Sequence, residues 1–292
     1  MTDRADQLVA AAEKRLKSRM AWIFRQHCAE RSAEDYKKSA RLYKTEREWQ
    51  KAAICFKLSA DLELYLENTF EAATLMRDCA ICLSSAGETQ SSVEVMQRAV
   101  ELYLDIGSFT SAGNMERSIG ETLESKAKLT DAAKHYHRAA ELFQGEGMDA
   151  RARACLEKAA DMHLYTENYE QAYCLYEAFA MNSLENSLTR WCAPRHFLFA
   201  FLCALLAHKD TIRCNKLLDI YASADVAFHT QSEFTLCCDI LDAIIDMDRE
   251  AFSDAIDKYR THFMKPVDKQ LTLMLYKVDE YLFPETEEIA LV

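Results

Sequence analysis

Helix breakers are scarce in this chain: 292 residues hold three prolines and six glycines. All three prolines, Pro194, Pro266 and Pro284, lie beyond residue 190. So few turn formers exclude collagen, long disordered linkers and turn-rich all-β folds. Strand signals are missing too, with no alternating apolar run flanked by Asn-Gly or Asp-Gly. The longest apolar run, Phe197 to Ala207, has 11 residues, whereas a bilayer crossing needs about 20, so it reads as a buried helix. Positive charge is in deficit, with 35 Lys and Arg against 47 Asp and Glu for a net charge of −12, which argues against a general nucleic-acid binder. No secretory signal opens the sequence, and 11 cysteines in no regular framework point to a cytoplasmic setting with free thiols.

Catalytic signatures are equally scarce. The chain has no Gly-rich phosphate loop, no Gly-x-Ser-x-Gly elbow and no His-Glu-x-x-His. Cys79-Ala80-Ile81-Cys82 has redox spacing but lacks a preceding strand and a helix N-terminus, and no second pair completes a zinc site. His135 and His137, two apart on a helix, point to different sides. The expectation is a protein that is not an enzyme and that carries no metal and no cofactor.

What the chain does have is a repeat. At a shift of 20, one column reads Ala52, Ala72, Ser92, Ala112, Ala132, Ala152 and Ala172. A second, eight residues on, reads Ala60, Ala80, Val100, Gly120, Ala140, Ala160 and Ala180. Midway stand Tyr36, Phe56, Met76, Met96, Glu116, Tyr136, Leu156 and Tyr176. Offsets of 0, 4 and 8 share a helix face, so each unit presents a small–large–small stripe against which a neighbouring helix packs closely. Glu116 interrupts that stripe. Gly87, Gly107 and Gly147 keep the same spacing and suit left-handed helix ends.

Each unit is then one helix of about 16 residues, roughly 24 Å long, followed by a short turn. Paired helices stack as a right-handed tetratricopeptide-like superhelical array, an all-α fold. Two units make a 40-residue hairpin, longer than the usual tetratricopeptide of about 34. The register fades after Ala180. The expected organisation is an N-terminal helix (3–19) plus array over 1–181, a C-terminal helical bundle over 182–283 and an acidic flexible tail over 284–292. Residues 182–188 read as a loop, and the bundle helices are expected near 195–208, 211–224, 230–247, 249–263 and 267–282.

The two ends differ in charge. Residues 1–50 hold 12 basic and 8 acidic side chains, a net of +4, whereas the remainder carries −16. Lys17, Arg19 and Arg25 surround Met20, Trp22, Ile23 and Phe24, a combination suited to shallow contact with an anionic membrane surface. Packing of Trp22 and Phe24 on the first hairpin is the alternative. After Pro284, the carboxylates Glu285, Glu287 and Glu288 precede an apolar tip containing Leu291, which is either a solvated end or a hook for a basic partner. Arg98, Arg117, Lys134, Arg138, Arg151, Arg153 and Lys158 lie on array helices. They either pair with nearby carboxylates or line a stripe for an acidic, elongated ligand.

Four stretches resemble the soluble NSF-attachment proteins, closest to the alpha type: Ala99 to Thr110, Glu167 to Ala172, Leu271 to Leu275, and the acidic tail with its penultimate Leu291. The resemblance runs nearly end to end. It implies a non-enzymatic adaptor in vesicle trafficking that binds assembled SNARE complexes, recruits the hexameric ATPase NSF and couples ATP hydrolysis to SNARE disassembly, with several copies per complex. It implies membrane contact through Met20, Trp22, Ile23 and Phe24 with Lys17, Arg19 and Arg25 beside them. SNARE contact falls to Arg117, Arg151, Arg153 and Lys158, and NSF contact to Glu285, Glu287, Glu288 and Leu291. The protein is then cytoplasmic and peripheral on the cytosolic face of membranes. Ser108 and Asn114 stand where the family is basic, and Ser232 to Asp239 lacks basic residues that relatives carry. A generic tetratricopeptide-like scaffold for another acidic helical or peptide ligand is the rival reading.

Overall fold

The computed structural model describes residues 2–18, 24–185, 187–262, 264 and 267–282. All regular structure among them is helical. The first eight helices are α1 (Thr2–Lys17), α2 (Arg25–Thr45), α3 (Trp49–Tyr65), α4 (Thr69–Ser85), α5 (Thr89–Asp105), α6 (Phe109–Glu124), α7 (Leu129–Gly145) and α8 (Asp149–Tyr165). Then follow α9 (Tyr169–Glu185), α10 (Ala193–His208), α11 (Thr211–Ala224), α12 (Ser232–Ile245), α13 (Arg249–Asp257) and α14 (Lys269–Leu282). Packing divides the chain into two compact units, Met1–Cys155 and Leu156–Val292. The division cuts α8, so it follows packing and not the repeat register, which continues in sequence to Ala180.

In the first unit, consecutive helices from α1 to α7 pack in sequence order as antiparallel hairpins. The close approach that the small columns predict is visible in hydrogen bonds between helices. Ser39 Oγ donates to the Ala5 carbonyl at 2.9 Å, Ser59 Oγ to Ala33 at 2.8 Å, Cys79 Sγ to Ala53 at 3.2 Å and Ser92 Oγ to Ala80 at 2.8 Å. A side chain of one or two heavy atoms reaches a neighbouring backbone only when the helices nearly touch. A Cβ placed on Gly120 would meet the Tyr136 ring at 3.0 Å, so this column position accepts nothing larger where that ring lies flat on α6.

Every turn from α2 onward through α9 is built alike. Residues 47, 67, 87, 107, 127, 147 and 167 all have positive φ, between 57 and 85°. Gly87, Gly107 and Gly147 are the glycines expected there, but Arg47, Glu67, Ala127 and Glu167 adopt the same left-handed conformation. At each turn the next residue donates back five positions, as in Glu88 to Leu83 (2.9 Å), Ser108 to Tyr103 (2.8 Å) and Lys128 to Leu123 (3.0 Å). This six-to-one bond, with the shorter bond Gly87 to Ser84 at 3.0 Å and its equivalents, is the Schellman motif that satisfies orphan carbonyls at a helix end. The hydrogen bonds hold the left-handed residue in place even where no glycine is present to relieve its steric cost.

The second unit is centred on α10. Every side chain from Phe197 to Leu206 is buried, so the longest apolar run forms the core against which α9, α11, α12 and α14 pack. Helix α9 continues to Glu185, beyond the loop start expected at Asn182, because Ser183 is buried and Leu184 packs on this core. The helix expected over 249–263 divides into α13 and a π-helical turn, Lys258–His262.

Candidate partner-binding surfaces

Three surfaces carry the residues singled out by sequence. The first is the connection from α1 to α2. Arg19, Met20, Trp22 and Ile23 lie outside the described residues. Of their neighbours, Lys17 is exposed and sits 3.4 Å from Glu13, and Phe24 is 53 % exposed, which disfavours its packing on the first hairpin. The Arg25 guanidinium lies 5.2 Å from the centre of the Tyr65 ring. Both line a groove of about 610 Å³ with Leu16, Cys28 and Leu62, so the base of the connection is a largely apolar hollow with one cation, Arg25, in its wall.

The second surface runs across the array. Arg117 on α6 and Arg77 on α4 share a groove of about 780 Å³ over α5 with Lys126, Asn114, Ser118 and Glu121. Arg77 and Arg117 are 40 residues apart, one hairpin, and the same register place on α2 is Lys37. Lys37 pairs with Glu71 of α4, Arg77 with Asp78 at 3.1 Å and Arg117 with Glu121 at 3.6 Å. A ladder of cations, one per hairpin, thus follows the α2–α4–α6 layer. At a shift of 20 the same column reads Lys37, Lys57, Arg77, Gln97 and Arg117, so its basic character is legible in the sequence, and the structure adds that alternate members share a layer.

The remaining basic candidates divide. Arg151 lies 5.9 Å from the centre of the Phe143 ring. Burial raises the Cys155 thiol pKa, and the Arg117 guanidinium partly offsets that rise. At about 100° per residue, Arg151 and Arg153 of the first unit project about 200° apart around α8. Pairing is the rule elsewhere: Arg98 with Glu101 at 2.6 Å, Lys134 with Asp131 at 3.0 Å and Arg138 with Glu116 at 3.1 Å.

Glu116 is fully buried, and its place in the large-residue column is explained by its partners on α7. His135 Nδ1 lies 2.6 Å from one carboxylate oxygen and Arg138 Nη1 3.1 Å from the other. A buried charge is tolerable only when paired and hydrogen-bonded in this way. The sequence reading missed the trio, for which the mismatch at Glu116 was itself the signal.

The third surface is the tail, where Glu285, Glu287, Glu288 and Leu291 lie outside the described residues. As for chemistry, burial holds the Cys79 thiol up at about 12 and raises that of Cys82, so neither is a thiolate near neutrality. Among the described residues, no group of three or more His, Cys, Asp or Glu is placed to hold a metal ion.

Residues 3–282 match the family described as "Soluble NSF attachment protein, SNAP". The Beta-soluble NSF attachment protein of Bos taurus is 27% identical over 279 residues, covering 94% of this chain and 92% of that protein. The Alpha-soluble NSF attachment protein of Homo sapiens is 26% identical over 287 residues, covering 97% and 96%. The Vesicular-fusion protein SEC17 of Komagataella phaffii is 28% identical over 263 residues, covering 87% and 88%.

Proposed function

The chain belongs to the soluble NSF attachment protein family, and from that premise we propose that it is an adaptor of vesicle fusion that binds assembled SNARE complexes and recruits the ATPase NSF. It couples NSF's ATP hydrolysis to SNARE disassembly and hydrolyses nothing itself. The family match over residues 3–282 carries this reading, and the cation ladder supports it. A SNARE bundle is a long acidic rod, and Lys37, Arg77 and Arg117 repeat once per hairpin along one layer, as contact with a rod requires. Each exposed pair contributes about 0–1 kcal/mol, so one copy binds weakly. Several copies on one rod, with membrane contact, add avidity.

The labour divides along the chain. Residues 1–181 hold the membrane and SNARE contacts: Met20, Trp22, Ile23 and Phe24 dip into the bilayer surface, with Lys17, Arg19 and Arg25 on anionic headgroups. Arg117, Arg151, Arg153 and Lys158 meet the SNARE rod. The bundle over 182–283 carries the tail, whose Glu285, Glu287, Glu288 and Leu291 engage NSF. The protein then works from the cytosol as a peripheral membrane component. The deciding experiment is a disassembly assay with purified SNAREs, NSF and ATP. Disassembly is expected only when this chain is added. No acceleration, together with no SNARE or NSF recovered in pull-downs, overturns the reading.

A further inference from the structure

The groove at the base of the α1–α2 connection is built from three helix ends. Leu16 comes from the end of α1, Arg25 and Ala29 from the start of α2, and Leu62 and Tyr65 from the end of α3. Ala29 is buried beneath it, whereas Leu16 and Tyr65 keep 36% and 50% of their surface open. Its volume of about 610 Å³ is that of a site for a small molecule. Among the described residues, Arg25 is the one charged side chain in the lining. It is also uncompensated. Its guanidinium lies over the Tyr65 ring, 5.2 Å from the centre, and the first turn of α2 holds no acidic residue. The neighbouring cations are taken up, Arg15 by Asp35 at 2.8 Å and Lys17 by Glu13 at 3.4 Å, but among the described residues no carboxylate pairs with Arg25.

We propose that this groove holds one molecule of an anionic phospholipid, with its phosphate on Arg25 and part of an acyl chain along Leu16, Leu62 and Tyr65. Charge complementarity selects this occupant. A guanidinium grips a phosphate through two parallel hydrogen bonds, and the ring beneath it shields one side from water. An acyl chain brings no polar group that needs a partner, so it suits walls that offer none. Position argues the same way. Phe24 precedes Arg25 in the chain and is 53% exposed, so the groove begins where the proposed bilayer contact ends. A lipid then enters it without leaving the interface. The proposal rests on that contact for the source of the lipid. It deepens the contact from attraction toward a charged surface into recognition of a single molecule, which saturates at one lipid per chain.

The test uses the full chain and dihexanoyl phosphatidic acid below its micelle concentration, so that no bilayer is present, followed by isothermal titration calorimetry. Saturable one-to-one binding is expected. Dihexanoyl phosphatidylcholine, whose choline cation opposes Arg25, and glycerol 3-phosphate, which has no chains, should each bind roughly tenfold more weakly. Arg25→Gln and Leu16→Ser should each weaken the phosphatidic acid by about tenfold as well. Both sites are open to solvent, so the circular dichroism spectrum should stay that of the wild type. No saturable binding by the wild type overturns the proposal. Unchanged binding in both variants overturns it by placing the lipid elsewhere, and equal binding of glycerol 3-phosphate by leaving only a phosphate site. One lipid per two chains does so by placing the groove between copies. Flotation separates the proposal from the membrane reading. A wild type that floats on anionic vesicles yet binds no monomeric lipid removes the groove and leaves the bilayer contact standing. Monomeric lipid still bound by a Trp22→Ser, Phe24→Ser variant that no longer floats supports the groove.

Discussion

Glu116 Oε2 and His135 Nδ1 lie 2.6 Å apart between α6 and α7, and the carboxylate is sealed from solvent. Arg138 closes the other oxygen. Removing one partner strands part of a buried charge, so His135→Ala should cost about 1–3 kcal/mol. Glu116→Met restores the residue type found at Met76 and Met96. It leaves His135 and Arg138 able to turn to water, and should cost under about 1 kcal/mol. Urea unfolding of both variants checks the order, and a Glu116→Met cost above that of His135→Ala would contradict the assignment.

The turn ladder gives a second prediction. A left-handed non-glycine residue costs roughly 1–2 kcal/mol, against about 0.5–1 kcal/mol of extra chain entropy for glycine. Ala127→Gly, at φ 57°, should therefore stabilise the protein by about 0.5–1 kcal/mol. Gly87→Ala, at φ 85° with nothing within 4 Å of the new Cβ, should destabilise it by about 1 kcal/mol through strain alone. Thermal melts of the two variants ought to move in opposite directions.

These turns also show what the sequence made legible. The fold class, the helix spacing and even three of the left-handed residues follow from periodic small residues and periodic glycines, because close packing and positive φ leave compositional marks. Arg47, Glu67, Ala127 and Glu167 leave none, since backbone hydrogen bonds set their conformation and not their side chains. The same holds for sites. Lys37, Arg77 and Arg117 are legible as members of a basic column, but that they share a layer becomes evident only from the packing of alternate helices. Helix α9 overran its expected end because burial of Ser183 and Leu184 outweighed a polar local sequence.

Cys79 takes the place that Ser39 and Ser59 occupy in neighbouring hairpins, each donating to a carbonyl across the helix pair. Its thiol is raised by burial from 9.0 to about 12, and those of Cys55 and Cys214 to about 11. A raised thiol pKa favours the folded state fully below the unfolded value and loses that contribution as pH climbs toward the folded one. Stability should then be level up to about pH 8.5 and fall from about pH 9 upward. Cys79→Ser keeps the hydrogen bond and cannot ionise in this range. It should lie within about 1 kcal/mol of wild type at pH 7 and decline less steeply above pH 9, as urea midpoints across pH 7–10 would report.

The ladder predicts a charge-dependent SNARE affinity spread over hairpins. Arg77→Glu with Arg117→Glu reverses two rungs that are each about half exposed, so the fold should survive. Binding to assembled SNAREs should drop about tenfold, with a shallower salt dependence, since each exposed contact contributes about 0–1 kcal/mol and reversal adds repulsion. A pull-down titration in which the double variant matches wild type at low salt would remove the ladder from the interface.

Membrane contact is separable from all of this. Phe24 is half exposed beside the hollow formed by Leu16, Arg25 and Tyr65, and Trp22 is two residues before it in the chain. Both side chains supply apolar area for the interface, where about 25 cal/mol per Å² is recovered on burial. Two aromatic groups, even partly inserted, then give a few kcal/mol. Trp22→Ser with Phe24→Ser should reduce flotation with anionic liposomes by at least tenfold while the helical signal is retained. Replacing Lys17 and Arg25 with Gln should instead reduce flotation mainly on anionic vesicles, because a neutral surface offers those cations no attraction. Equal flotation of the serine variant and the wild type on both lipid types would show that the α1–α2 connection does not touch the bilayer.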